Sequence, residues 1–374
     1  MPSIPGTPAL ETSARKLDGL EALRGVAALV VLLHHGFGFV ELPQNFSVRL
    51  FWGFFIEGNL GVNIFFVLSG FVIAYSNQKD GRSFREVLIY VLRRLTRIFP
   101  IYWLACLTML PVYWKFAPAA LGEISVSRMV HDLLLFPYGT IPMLRVAWTL
   151  VFEMMFYILF VPMLVNRKAG SIMWLVISAG IVMLAVAGVE FANPWAAVIS
   201  SPFVLQFVAG MVVCHWTLRY PLSGRAARGL LWTGSILLFL AAVVERITDT
   251  DWVPWNLHYA ACAALIVLGI VNLPPRKSAV PGRTLRILQM LGRYSYSIYL
   301  FHIPVQQILM KLTLGVTGQT PGLFVVWLVT LLLIAGSLAA GILMGRFFEI
   351  PMLEWCKKFI ARLKLPKPLP VATA

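Results

Sequence analysis

Runs of mainly apolar residues long enough to cross a lipid bilayer recur about ten times along this chain, and no other feature narrows its fold as much. They fall near 20–39, 58–76, 96–113, 147–165, 171–189, 199–218, 229–244, 257–273, 294–313 and 323–347. In hydrocarbon every backbone N–H and C=O must find a partner within the protein, which a helix provides for itself. The expected fold is therefore an all-α polytopic membrane protein of about ten transmembrane helices. A hydrophobic share of 59% and a charged share of 13% exclude an ordinary soluble enzyme. No polar stretch is large enough to bury a core of its own. The expected organisation is a polar cytoplasmic tail over 1–16, one transmembrane domain over 17–355, and a basic, Pro-rich cytoplasmic tail over 356–374 that ends in KLPKPLPVATA.

The net charge of +15 follows the topology and not a nucleic-acid partner. With the N-terminus inside, about 24 Lys and Arg residues fall in cytoplasmic segments and about 6 in outer ones, so both termini are expected in the cytoplasm. The most basic connections are Lys79 to Arg97 and Arg276 to Arg293, whereas Glu245, Asp249 and Asp251 lie in an outer loop. The first apolar run lacks a small-residue cleavage site and reads as a retained span. No internal repeat of the transporter kind is visible. Cys106, Cys214, Cys262 and Cys356 are scattered singly, without the spacing of a metal site, and read as packing residues. The long connection from Trp114 to Val146 contains Leu133-Leu134-Leu135-Phe136-Pro137 and reads as an interfacial segment.

Ionisable residues inside spans cost several kcal/mol and mark candidate sites. Arg24 and His35 in the first span are eleven residues apart, three turns plus about 20°, so both point along one helix face about 16 Å apart. His34 points about 100° away and reads as structural. In WTLVFEMMFY, Glu153 lies five residues below Trp148, an aromatic expected at the outer interface, and so about 8–10 Å deep. Counting from the cytoplasmic start of the first span puts His35 about 22 Å up, at nearly the depth of Glu153, and the two are expected to share an outer-half pocket. In the ninth span Ser295, Tyr299 and His302 share a face, with His302 about 12 Å from the cytoplasmic side and level with Arg24. The expectation is a polar column with Arg24 and His302 in the inner half and His35 and Glu153 in the outer half.

Six segments, LEALRGVAALVVLLHH, GVNIFFVLSGFVIA, RRLTRIFPIYW, WTLVFEMMFY, GRYSYSIYLFHIP and RFFEIP, resemble in order the motifs of the acyltransferase-three membrane family. The resemblance runs from about Leu17 to Trp355 and is to the stand-alone type, without a fused esterase-like domain. It implies a bacterial cytoplasmic-membrane enzyme that O-acylates surface polysaccharides, peptidoglycan, Nod factors or macrolides, usually from acetyl-CoA. The arginine–histidine signature maps onto Arg24 and His35, which makes His35 the catalytic histidine and Arg24 its partner. Glu153 matches the carboxylate of the family's tryptophan-containing motif, in which Thr149 stands where the family has Ser. Where members often carry Asp three residues before the arginine, this chain has Glu21, with Asp18 one turn earlier. The paired-arginine motif maps onto Arg94 and Arg97, followed by Pro100 and Tyr102.

The expected chemistry is transfer of an acyl group from acyl-CoA to a carbohydrate or glycolipid hydroxyl, with His35, Arg24 and Glu153 catalytic. Arg94, Arg97, Tyr102, Trp148, Ser295, Tyr299 and His302 are the candidate binding residues. Acyl-CoA enters as co-substrate, no tightly bound cofactor or metal is expected, and membrane lipid surrounds the protein. His35 either takes the hydroxyl proton or briefly carries the acyl group, and Glu153 orients its imidazole where the two share a pocket. Arg24 holds the thioester carbonyl or a CoA phosphate. Gly61, Ser69 and Gly70 read as small residues that let helices approach, and Glu349 with Pro351 as a structural terminus. The competing reading is a transporter or flippase for a lipid-linked sugar or small anion, which a polar column would equally suit.

Overall fold

The computed structural model describes residues 8–50, 59–116, 125–248, 257–274 and 282–362. Among them the regular structure is entirely helical. Residues 1–7 and 363–374, which belong to the expected tails, and Asp249 and Asp251 lie outside the described residues. Helix α1 spans Pro8–Glu41, α2 Asn59–Ser76 and α3 Phe84–Phe116. A short α4, Val126–Leu134, and a 3₁₀ turn, Arg145–Ala147, lead into α5, Trp148–Leu159, and α6, Val161–Val165. Then come α7 Arg167–Val186, α8 Pro194–Ile199, α9 Phe203–Arg219, α10 Gly224–Thr248 and α11 Leu257–Val271. The last are α12 Arg283–Arg293, α13 Ser295–Thr317 and α14 Leu323–Met344, which continues through one π-helical turn, Gly345–Glu349, into α15, Ile350–Arg362.

The described part of each expected apolar run is mainly helical, with breaks at Phe160 and over 200–202. Among the described residues seven helical stretches are long and apolar enough to cross a bilayer, and Leu60–Ser76 and Leu257–Val271 are shorter apolar helices. The outward faces support lipid as the solvent. On α7 the exposed Ile172, Leu175, Val176, Val182, Met183 and Val186 recur at helical spacing, as do Trp232, Ile236, Phe239 and Leu240 on α10. Polar side chains are turned inward, with Asn63, Gln206, Ser297, His302 and Gln306 fully buried. Apolar outside and polar inside is the arrangement hydrocarbon favours and water does not.

Helices that cannot gain from hydrophobic burial against lipid associate by close packing, for which small residues are needed. A β-carbon on Gly70 of α2 would lie 2.0 Å from the Phe207 carbonyl oxygen of α9, and one on Gly210 of α9 would lie 2.1 Å from that of Val67. The expectation for Gly70 is met by backbone-to-backbone contact. Along α1, a β-carbon on Gly25 would lie 2.3 Å from the Leu288 oxygen, and one on Gly292 would lie 1.7 Å from the Glu21 oxygen. These two glycines fix the register of α12 and α13 on α1. Downstream, Ile298 packs with Ala28 and Leu32, and the Gln306 side-chain amide donates to the Leu32 carbonyl at 3.2 Å, so α13 runs parallel to α1. Every residue from Ser295 to Pro304 is buried, which makes α13 the centre of the bundle.

The expected interfacial segment is tied down by α3. Tyr102 donates to the Asp132 carbonyl at 2.6 Å, the Trp103 indole to that of Leu133 at 2.9 Å, and Tyr113 to that of Met143 at 2.9 Å. Leu144, Val146 and Ala147 are buried, so α5 begins inside the protein and not at its surface.

Candidate active site

α1, α2, α3, α5 and α13 enclose a cavity of about 250 Å³. Arg24, Arg94, Arg97 and Glu153 bring ionic groups to it, and Ser69, Thr149, Tyr157, Ser295, Tyr296 and Tyr299 bring hydroxyls. Val62, Phe65, Phe66 and Leu68 of α2 supply its apolar wall. Glu153 and Tyr157 are one turn apart on α5, so the tyrosine hydroxyl reaches back and donates to Oε1 of the carboxylate. Ser69 Oγ donates to the same oxygen at 3.3 Å. The Arg94 guanidinium lies 5.4 Å from the Tyr157 ring centre and 5.5 Å from that of Tyr90, where a cation is attracted to the ring face. Nε of Arg24 and Nε of Arg94 are buried without a hydrogen-bond partner. A buried donor left unpaired costs about 1–3 kcal/mol, so these arginines are poised to accept an anion or a carbonyl oxygen.

A second cavity, about 490 Å³, shares Arg24, Val72 and Arg97 with the first. Asp18, Glu21, Arg293, Glu349, Glu354 and Lys357 bring its other ionic groups. Arg24 and Arg97 thus stand at a throat between an inner chamber and a larger one at the N-terminal end of α1. Glu349, in the π-helical turn, accepts from Ser297 N at 3.2 Å and from its hydroxyl at 2.6 Å, taking up a free N–H in the first turn of α13. The structural role expected of Glu349 is of this kind.

The histidines form a separate group. Nε2 of His302 lies 3.2 Å from Nδ1 of His35, with ring centres 4.9 Å apart, and His34 meets His35 edge-on at 4.5 Å. Neither His35 nor His302 lines the arginine cavity. Tyr299 stands between the two groups. It lines the cavity, its ring centre is 5.9 Å from that of His302, and its hydroxyl shares a 2.7 Å hydrogen bond with Thr149. It also donates to the Val146 carbonyl at 3.0 Å, which docks the 3₁₀ turn onto α13.

This arrangement corrects the expected column in two places. His302 is level with His35 and not with Arg24, and Glu153 shares the cavity of Arg24 and not a pocket with His35. Both differences have one cause: counting depth from span ends assumes that those ends lie at the membrane surface. α13 starts with the fully buried Ser295, above the level of Glu21 and Gly292, so His302 lies deeper into the bundle along α1. α5 starts behind a buried turn, which carries Glu153 toward Arg24. Two further candidates stand apart from the cavity. Tyr102 is fully buried and tethers α4. Trp148 lines a third cavity of about 300 Å³ beneath the α4–α5 connection and packs with Phe66, Phe152 and Phe203. Arg94, Arg97, Ser295 and Tyr299 are brought together with Arg24 and Glu153.

Tyr157, Ser69 and Tyr296 belong to the cavity and were not singled out as site residues from sequence. Tyr157 is within reach there, because a hydroxyl at i+4 from a carboxylate inside a span is its natural donor. Ser69 and Tyr296, whose hydroxyl donates to the Ile98 carbonyl at 2.8 Å, carry no such local sign.

Helices of crossing length around a buried arginine–carboxylate cavity define a polytopic membrane protein with an internal ionic site. The acyltransferase-domain profile of the acyltransferase-three family matches residues 17–346, and the chain belongs to that membrane acyltransferase family. It is 29% identical to the exopolysaccharide production protein ExoZ of Rhizobium meliloti (strain 1021), over 71% of this chain and 82% of that one. Identity to the acyltransferase MdmB of Streptomyces mycarofaciens is 27%, over 96% of this chain and 95% of that one. For the putative peptidoglycan O-acetyltransferase YrhL of Bacillus subtilis (strain 168) it is 26%, over 90% of this chain and 55% of that longer protein. No solved structure matches the chain.

Proposed function

We propose that this membrane acyltransferase moves an acyl group, acetyl being the simplest, from cytoplasmic acyl-CoA to a hydroxyl of a carbohydrate or glycoconjugate at the outer half of a bacterial cytoplasmic membrane. The observation that carries the donor assignment is the throat: Arg24 and Arg97 border both chambers, and the Arg24 Nε inside it is unpaired. Guanidinium groups there suit the phosphates or the thioester carbonyl of an acyl-CoA. The N-terminal end of α1, where the larger chamber lies, is the end expected in the cytoplasm from the distribution of basic residues, which supports a cytoplasmic donor. The carbohydrate acceptor is supported by relatives whose names refer to exopolysaccharide production and peptidoglycan O-acetylation.

In this reading Arg24, with Arg94 and Arg97, binds the phosphate end of the donor, and the acyl end extends past Tyr299 toward the imidazole layer. Glu153, held by Tyr157 and Ser69, keeps the arginines charge-balanced, and His35 serves as general base toward the acceptor hydroxyl. The test is transfer of label from radiolabelled acetyl-CoA to host glycans in membranes carrying wild type or His35→Ala, followed by hydroxylamine release. A hydroxylamine-labile product with wild type alone is expected. Label in neither membrane, with folded protein present and several donors and acceptors tried, would sink the acyl-CoA assignment and return attention to transport.

A further inference from the structure

We propose that His302 is the positioning and charge-sharing partner of His35, so that Nε2 of His35 is the nitrogen that reacts. The hydrogen bonds on the two rings carry this. Nδ1 of His302 lies 3.2 Å from the Ile298 carbonyl oxygen, and a carbonyl only accepts, so in the neutral ring the proton is on Nδ1 and Nε2 keeps a lone pair. Nδ1 of His35 lies 3.0 Å from the Val31 carbonyl oxygen, which places the His35 proton on Nδ1 by the same argument. That N–H is also 3.2 Å from the Nε2 lone pair of His302, and its proton is shared between carbonyl and imidazole. The remaining nitrogen of His35, Nε2, is then unprotonated and free to act as base or nucleophile.

The surroundings hold this pair rigidly. His302 is fully buried, its carbonyl accepts from Ser337 Oγ at 3.4 Å, and Gln306 ties α13 to Leu32 of α1 beside it. His35 is only half-buried, so its ring, unlike that of His302, is not sealed inside the bundle. The arrangement has the logic of a serine-hydrolase triad, in which a third group fixes the tautomer of the histidine and stabilises the imidazolium. Here an imidazole fills the place that a carboxylate has there. When Nε2 of His35 takes the proton of an attacking hydroxyl, the oxygen–carbon bond forms and the thioester carbon–sulfur bond then breaks. The departing thiolate recovers the proton from Nε2. Throughout, the Nδ1–H of His35 stays bonded to His302, which spreads the transient positive charge over two rings.

The inference rests on His35 as the reactive histidine, and its test is independent of donor and acceptor. Purified full-length wild type, His302→Gln, His302→Leu and His302→Asn are treated with diethyl pyrocarbonate, which an unprotonated imidazole nitrogen attacks with loss of ethyl carbonate. Modification of His35 is followed by mass spectrometry. Glutamine can present its amide oxygen where Nε2 stood, so His302→Gln is expected to react within about threefold of wild type. Leucine offers no acceptor, and asparagine is too short to reach; both are expected to slow His35 by about tenfold or more. Where acyl transfer is measurable, kcat is expected to follow the same order while KM for acyl-CoA stays within about twofold. Equal reactivity in all four proteins overturns the proposal. So does a His302→Gln protein as slow as folded His302→Asn, because that would mark a packing role. Failure of acetyl-CoA transfer by wild type would refute the donor assignment and leave the modification order to decide this one.

Discussion

Gly292 and Gly25 meet backbone to backbone, and ten residues further along each chain stand His302 and His35. Because α13 runs parallel to α1, equal spacing from that crossing brings the two imidazoles to one level. The same crossing leaves Arg24 beside the start of α13, among Ser295, Arg97 and Glu153. The protein therefore has two layers, a guanidinium–carboxylate layer and an imidazole layer, with Tyr299 between them.

Arg24→Ala is expected to lower kcat/KM for acyl-CoA by about 100-fold, since it removes a charged donor from a low-dielectric throat. Arg24→Lys keeps the charge but not the fork, and should fall between the two. Steady-state transfer in reconstituted vesicles measures both, and equal activity of Arg24→Ala and wild type would remove Arg24 from the donor site.

Tyr157→Phe takes a hydroxyl from a partly buried carboxylate, and the loss is expected to destabilise the protein by about 1 kcal/mol. Glu153→Gln should cost less, because the amide oxygen still accepts from Tyr157 and Ser69. Thermal unfolding of the detergent-solubilised proteins ranks the two, and the reverse order would mean that charge balance with the arginines outweighs the hydrogen bonds.

Gly70→Ala drives a methyl group into the Phe207 carbonyl of α9, and backbone cannot step aside as a side chain can. A loss of about 1–3 kcal/mol is expected. Gly180→Ala meets open space on α7 and is the control, expected to leave the unfolding temperature unchanged or to raise it slightly.

Asp132, on the short α4, is buried beside the α3 tethers, and burial holds its carboxyl above the usual aspartate range despite the Met143 N–H at 3.0 Å and Arg128 nearby. A raised acid binds its proton more tightly in the folded than in the unfolded chain. Its stabilising contribution is present at low pH and is lost as the pH rises through the folded value. Wild type is thus expected to lose stability relative to Asp132→Asn as the pH climbs out of the carboxylate range. Parallel melting curves for the two proteins at every pH would contradict this.

The helices and most of the arginine layer were legible in the sequence, and the pairing between layers was not. Apolar runs of crossing length report their own helices, because in lipid the backbone has no other solution. Arg24, Glu153 and Ser295 stood out as polar groups within such runs. Depth did not, since counting residues from a span end assumes that the end lies at the membrane surface. Ser295 and Ala147 show where that assumption failed, because both helix starts are buried. Tyr102 is illegible for a different reason: its partner, the Asp132 carbonyl, lies thirty residues away in a connection with no local signal.

The glycine crossing also governs how this chain can change length. One residue inserted between Gly292 and His302 would turn the imidazole by about 100° about the α13 axis and move it about 1.5 Å along it, away from His35. One inserted between Gly25 and His35 would do the same from the other side. Neither helix can absorb the change alone, so these two ten-residue intervals form a matched ruler. Insertions and deletions that spare the histidine pair must fall outside both intervals or alter the two together.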